Sequence, residues 1–136
     1  MQIVPYLGFN GQCQEAFKFY EQCLGGQIVA MISHRETPAA QHVSPEMQDR
    51  IMHARLVAGD AVLMGGDSPT PEFEPPHGIC ISIQVDDPAA AERIFHALAE
   101  GGTVQMPVQE TFWATRFGML IDRFGIPWMV NCEKAA

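Results

Sequence analysis

The sequence predicts an α+β fold of two βαβββ modules in one domain, forming a concave, mostly antiparallel sheet with the helices on the outside. Three observations predict it. The first is a repeat: a shift of 76 residues superposes Leu7 on Ile83, Asn10 on Asp86, Phe19 on Phe95, Gly25-Gly26 on Gly101-Gly102 and Ile28 on Val104. The second is that each half closes with two apolar strand patterns around a tight turn. The third is physical: a few strands and one helix cannot bury both faces of a sheet, so two such units are expected to combine around a shared cavity. Module one is placed at about 1–67 and module two at about 78–133 of a single 136-residue domain.

Ile3 to Phe9 reads as a strand ended by Asn10-Gly11. Gln14 to Leu24 then spaces Ala16, Phe17, Tyr20 and Leu24 as one helix face before Gly25-Gly26 stops it. Gln27 to Ile32 is a second strand, and Thr37 to Glu46 is a loop closing on a short helical turn. Ile51 to Val57 and Ala61 to Met64 form a hairpin across Gly59-Asp60, which sets 55 opposite 64 and 53 opposite 66 and puts His53 and Arg55 on the face of Met64.

After the proline-rich connection Asp67 to Pro76, strand Gly78 to Val85 directs Ile79, Ile81, Ile83 and Val85 under a helix and Cys80, Ser82 and Gln84 into the concavity. By the repeat, Val4, Tyr6, Gly8 and Asn10 are the counterparts of the concave set. Helix Pro88 to Glu100, the stop Gly101-Gly102 and strand Thr103 to Val108 follow.

Glu110 to Asn131 carries the densest set of aromatic and polar side chains. Asp122-Arg123-Phe124-Gly125 has the chemistry of a type I turn. Pairing 121 with 126 across it sets 118 opposite 129 and 116 opposite 131. Arg116, Gly118, Met129 and Asn131 then share one face, and Phe117, Met119, Ile121, Trp128 and Val130 share the other. The first face reads either as a ligand-facing surface or as the wet side of an ordinary sheet.

With 47% hydrophobic residues the chain has enough apolar mass for a core. Sixteen acidic against eight basic residues give a net charge of −8, which opposes binding to nucleic acid. No apolar run reaches membrane-span length and no signal-peptide pattern opens the chain, so no membrane partner and a cytoplasmic location are expected. Cys13 and Cys23, on one helix, lie too far apart to bridge, and the four cysteines read as reduced.

The βαβββ repeat, with PYLGFNG, EAFKFY, HARL, QETFWA and DRFGIPWMVN in order, resembles the vicinal oxygen chelate superfamily of glyoxalase, bleomycin-resistance and extradiol dioxygenase proteins, and within it the PhnB-like branch. The resemblance covers nearly the whole chain. It implies four metal-ligand positions, one on the first and one on the last strand of each repeat, which fall here at Val4 (or Pro5), Met64, Cys80 and Met129. None of the four offers a hard oxygen or imidazole donor, and only Cys80 offers a thiol, so no metal and no other cofactor is expected. The branch often carries a ubiquinone-pathway methyltransferase label. This sequence has no glycine-rich loop between strand and helix to hold a nucleoside cofactor.

Two function classes follow. In the first, the protein binds a small molecule, anionic if a guanidinium holds it, through Tyr6, Arg55, Ser82, Gln84, Trp113, Arg116 and Asn131. In the second it is an enzyme of the glyoxalase or dioxygenase type, with Glu110 and His53 as acid–base groups or with a displaced metal on His53, Asp67 and Glu110. Each residue also has a structural reading: Glu110 a solvated strand end, His53 a sheet histidine, Asp67 a turn residue, Arg116 an ion pair with Glu110. A homodimer is expected, since the resemblance implies paired subunits and Phe112, Trp113 or Phe124 is expected to stay exposed near the strand ends and turn.

Overall fold

The computed structural model describes residues 1–134. The fold is α+β, with two helices and two four-stranded mixed sheets distributed over two compact units, Met1–Pro75 and the residues from Pro76 onward.

The first unit contains β1 (Tyr6–Phe9), α1 (Cys13–Leu24), β2 (Gln27–Ser33), β3 (Ile51–Ala58) and β4 (Ala61–Asp67), in the sheet order β1-β4-β3-β2. β1 runs parallel to β4, and the other neighbours are antiparallel. Cys13, Ala16, Phe17 and Tyr20 recur at helical spacing and are the residues α1 buries on the sheet. Phe17 meets Phe9 and Tyr20 edge-on at 6.2 and 5.9 Å, and burying each ring contributes on the order of 2 kcal/mol. The β3–β4 hairpin has the register its turn predicts: Arg55 faces Met64, while Ala54, Leu56 and Leu63 are buried on the opposite side. Three short 3-10 turns, beginning already at His34, fill the connection from β2 to β3.

Asp67 is not the simple turn residue expected. It ends β4, is buried, and accepts N–H bonds from Gly11 and Cys13 at 2.9 and 3.0 Å through Oδ1 and from Ile51 at 2.9 Å through Oδ2. One carboxylate thereby joins the start of α1, the start of β3 and the end of β4.

The second unit repeats the plan with β5 (Ile81–Gln84), α2 (Pro88–Ala99), β6 (Thr103–Gln109), β7 (Ala114–Ile121) and β8 (Pro127–Glu133), in the order β5-β8-β7-β6 with β5 parallel to β8. Pro88 suits the first helical position, and Asp87 caps the helix by accepting the Ala89 N–H at 3.2 Å. Ala91, Ile94, Phe95 and Leu98 are the face α2 buries. Phe95 lies so close to β7 that a Cβ on Gly118 would come within 2.6 Å of its ring, so only glycine fits there. The first strands of both units are shorter than their patterns suggest. Ile3 and Ile79 fall outside them and are exposed, which corrects the expectation that Ile79 packs under a helix.

The last hairpin differs by one residue from the expected register. Ile121 pairs with Pro127, Met119 with Met129, Gly118 with Val130 and Phe117 with Asn131. The cause is the turn: the Asp122 N–H donates to Ile126 O at 2.9 Å and Gly125 takes φ +90°, leaving three loop residues where four were expected. A type I turn followed by a left-handed glycine is a standard three-residue hairpin loop. Because side chains alternate, one step transfers the whole of β8 to the other face. Trp128 and Val130 join Gly118 and Leu120 on the α2 side, while Met129 and Asn131 join Phe117 and Met119.

Candidate functional site

On the face of the second sheet away from α2, β5 and β8 run side by side with Ser82 beside Met129 and Gln84 beside Asn131. The corrected register thus brings three sequence-predicted residues into one polar chain. Asn131 donates through Nδ2 to Gln84 Oε1 at 2.8 Å, and Gln84 donates through Nε2 to Ser82 Oγ at 2.6 Å. Asn131 is 7% exposed, and its Oδ1 is buried without a hydrogen-bond partner among the described residues. A buried carbonyl left unpaired costs roughly 1–3 kcal/mol, and because this oxygen is closed to solvent, a donor from outside reaches it only when the side chains over it move aside. Met119, Met129 and Phe117 supply an apolar surround on the same face.

Gln84 also lines a cleft of about 820 Å³ with Asp86, Thr115, Glu133 and Lys134, at the strand ends beside the start of α2. A second hollow of about 340 Å³ lies between His77, Cys80, Gln105, Met119 and Pro127. Thr115, Phe117 and Asp86 were missed from sequence. Phe117 would have been found by giving the Asp122–Ile126 turn three residues.

Arg116 requires correction. It does not share a face with Asn131. Its Nε bonds Glu92 of α2 at 3.2 Å and its Nη1 the Thr115 carbonyl at 2.7 Å, so its guanidinium is turned to the helix side. The partner expected for it, Glu110, pairs instead with Lys134 at 3.3 Å and is well exposed. Trp113 is 43% exposed and packs edge-on between Phe112 and Phe117 at 4.8 and 5.2 Å.

On the corresponding face of the first sheet, Tyr6 and Arg55 flank Met64 from either side, and His53 lies along β3 from Arg55. The Tyr6 ring stacks on His53 at 6.1 Å and its hydroxyl donates to the Met52 carbonyl at 3.0 Å. Partial burial, with a smaller contribution from Cys13, raises the Tyr6 phenol above its ordinary pKa, so it remains a donor at neutral pH. Arg55, half-buried, has no hydrogen bond or ion pair among the described residues.

The superfamily's metal positions do not fit a metal here. Met64 and Met129 lie on these two faces beside Tyr6 and Ser82, and Val4 and Cys80 complete the set. An alkyl group, two thioethers and a thiol are not a donor set for Zn²⁺, Ni²⁺ or Fe²⁺. The displaced set fares no better: Asp67's oxygens hold three backbone donors, Glu110 holds Lys134, and His53 stacks on Tyr6.

Each unit follows the βαβββ plan that the sequence's resemblance to the vicinal oxygen chelate superfamily implies. The model of a family described as 3-demethylubiquinone-9 3-methyltransferase matches residues 1–131. Protein YjdN of Escherichia coli is 34% identical, with 98% of this chain and 97% of that protein covered. The crystal structure of protein PA1353 from Pseudomonas aeruginosa is 53% identical, with 99% of each chain covered and a TM-score of 0.90. The fosfomycin resistance protein FosX from Listeria monocytogenes shares the fold alone, at 7% identity, a TM-score of 0.67 and 98% and 94% coverage. The chain belongs to this PhnB-like family, and its fold is the one it shares with FosX.

Proposed function

We propose that this protein binds a small molecule against the open face of its second sheet, through Ser82, Gln84 and Asn131, without the superfamily's metal. The observation that carries this reading is the buried, unpartnered Oδ1 of Asn131 at the end of a chain of otherwise satisfied amides. The ligand therefore presents an N–H or O–H to Asn131 and an apolar part to Met119 and Met129. The adjoining 820 Å³ cleft is of the size that small-molecule sites have.

The enzymatic reading through Glu110 and His53 has less behind it, because one is an exposed ion-pair partner and the other stacks on Tyr6. A methyltransferase activity, as in the family's description, has no support in the architecture. Both sheets are mixed rather than doubly wound, and the two helix N-termini already hold carboxylates, Asp67 at α1 and Asp87 at α2.

The protein acts as a cytoplasmic homodimer in this reading. Phe112 is 89% exposed beside Trp113, a pair of rings that suits a subunit interface of the kind relatives form. None of the described helices is long and apolar enough to cross a membrane. Sedimentation equilibrium giving the mass of one 15.0 kDa chain contradicts the dimer.

Elemental analysis of protein purified without chelator, followed by a thermal-shift ligand screen, tests the function. The expected result is no stoichiometric Zn, Ni or Fe together with stabilisation by at least one compound bearing a hydrogen-bond donor. About one metal per chain, lost on changing Cys80 or Met64, overturns it.

A further inference from the structure

We propose that Arg55 is the anchor of an oxyanion site on the open face of the first sheet, taking a carboxylate or phosphonate carried on a small apolar or aromatic body. The inference rests on the reading that these faces bind small molecules, and adds the chemistry of one group they bind.

A half-buried guanidinium normally has an acid or carbonyls to satisfy its five donors. The other half-buried arginines do: Arg116 holds Glu92, and Arg50 holds the Ser68 carbonyl and Asn10. Arg55 has no such partner among the described residues, although acidic residues outnumber basic ones two to one in this chain, sixteen to eight. The sheet explains why. Its ladder neighbours are Ala30 on β2 and Met64 on β4, both apolar, at a strand spacing of about 5 Å, so no acid sits across from it.

The same neighbours shape what it can bind. Met64 forms an apolar floor, and beyond it the stacked Tyr6–His53 pair forms an aromatic wall. The Tyr6 hydroxyl is committed to the Met52 carbonyl, which fixes the ring in place. A planar, two-toothed donor beside an apolar floor and an aromatic wall matches a bidentate oxyanion on a flat or short apolar body. Arg116, the other guanidinium among the binding residues expected from sequence, is paired with Glu92, leaving Arg55 for that role.

The test is an NMR titration of the ¹⁵N-labelled full chain with benzoate, phenylphosphonate, inorganic phosphate and uncharged benzyl alcohol. Benzoate or phenylphosphonate is expected to shift the amides of β3 and β4, inorganic phosphate more weakly, and benzyl alcohol little. Arg55→Met is expected to weaken binding at least about tenfold, the scale of a lost charge-assisted bidentate pair, and Arg55→Lys by less. Arg116→Met serves as the charge control and leaves binding unchanged. If Arg55→Met does not fold, Arg55→Lys, which keeps the charge and loses the fork, decides the question.

Equal response to benzyl alcohol, no response to any anion, or anion binding that survives both Arg55 substitutions overturns the proposal. Anion shifts confined to β3 and β4 in a protein whose second sheet binds nothing uphold this site and defeat the Asn131 reading. Ligands on the second sheet with no anion response do the reverse.

Discussion

The indole N–H of Trp128 donates to Oδ2 of Asp122 at 2.8 Å, while Oδ1 of the same carboxylate takes the Phe124 and Ile126 N–H groups at 2.8 and 3.0 Å. Asp122 is 3% exposed, so it closes the last hairpin and anchors the largest core side chain at once. Asp122→Ala strands two buried donors and one half-buried donor and is expected to destabilise the fold by about 3 kcal/mol, read as a lowered denaturation midpoint in urea. A loss under about 1 kcal/mol contradicts this role.

Cys13 is the second case of a buried group held by its neighbours. Burial first, and the nearby Asp67 carboxylate second, push its thiol from 9.0 up to about 12. The folded state therefore favours the protonated thiol. That contribution is whole below about pH 9 and is lost as pH rises from about 9 through about 12. Stability of the wild type should fall more steeply across that window than stability of Cys13→Ala, and thiol reagents at pH 8 should modify half-buried Cys80 but not Cys13 in the folded protein. Parallel pH profiles for the two proteins contradict the assignment.

His34 is 7% exposed and neither ring nitrogen has a hydrogen-bond partner among the described residues. Replacing an unsatisfied buried imidazole by a hydrocarbon of similar size removes a cost of roughly 1–3 kcal/mol. His34→Leu is thus expected to melt no lower than the wild type, and a melting point several degrees lower means that the imidazole has a stabilising partner.

Much of this was legible in the sequence, for reasons particular residues show. The 76-residue repeat located both helices because α1 and α2 each present apolar residues at helical spacing and end near a glycine pair. The β3–β4 register followed from the tight Gly59-Asp60 turn, which left Arg55 opposite Met64. The β7–β8 register did not, because Gly125 adopts a left-handed conformation that its position alone does not announce, and the misplaced step put Met129 and Asn131 on the face of Arg116. Asp67 and His34 were unreadable for another reason: their partners, or lack of them, depend on residues far along the chain.

In the proposed function a small molecule completes the hydrogen bonding of Asn131 without a metal. The most direct measurement is the ligand-induced shift in melting temperature of chelator-treated wild type and Asn131→Leu, using any compound found in the screen. The account predicts that the shift persists in chelator for the wild type and vanishes in Asn131→Leu, whose unliganded form melts no lower because an unpaired buried carbonyl has been removed. A shift that needs added Zn²⁺ or Ni²⁺, or one that survives in Asn131→Leu, contradicts it.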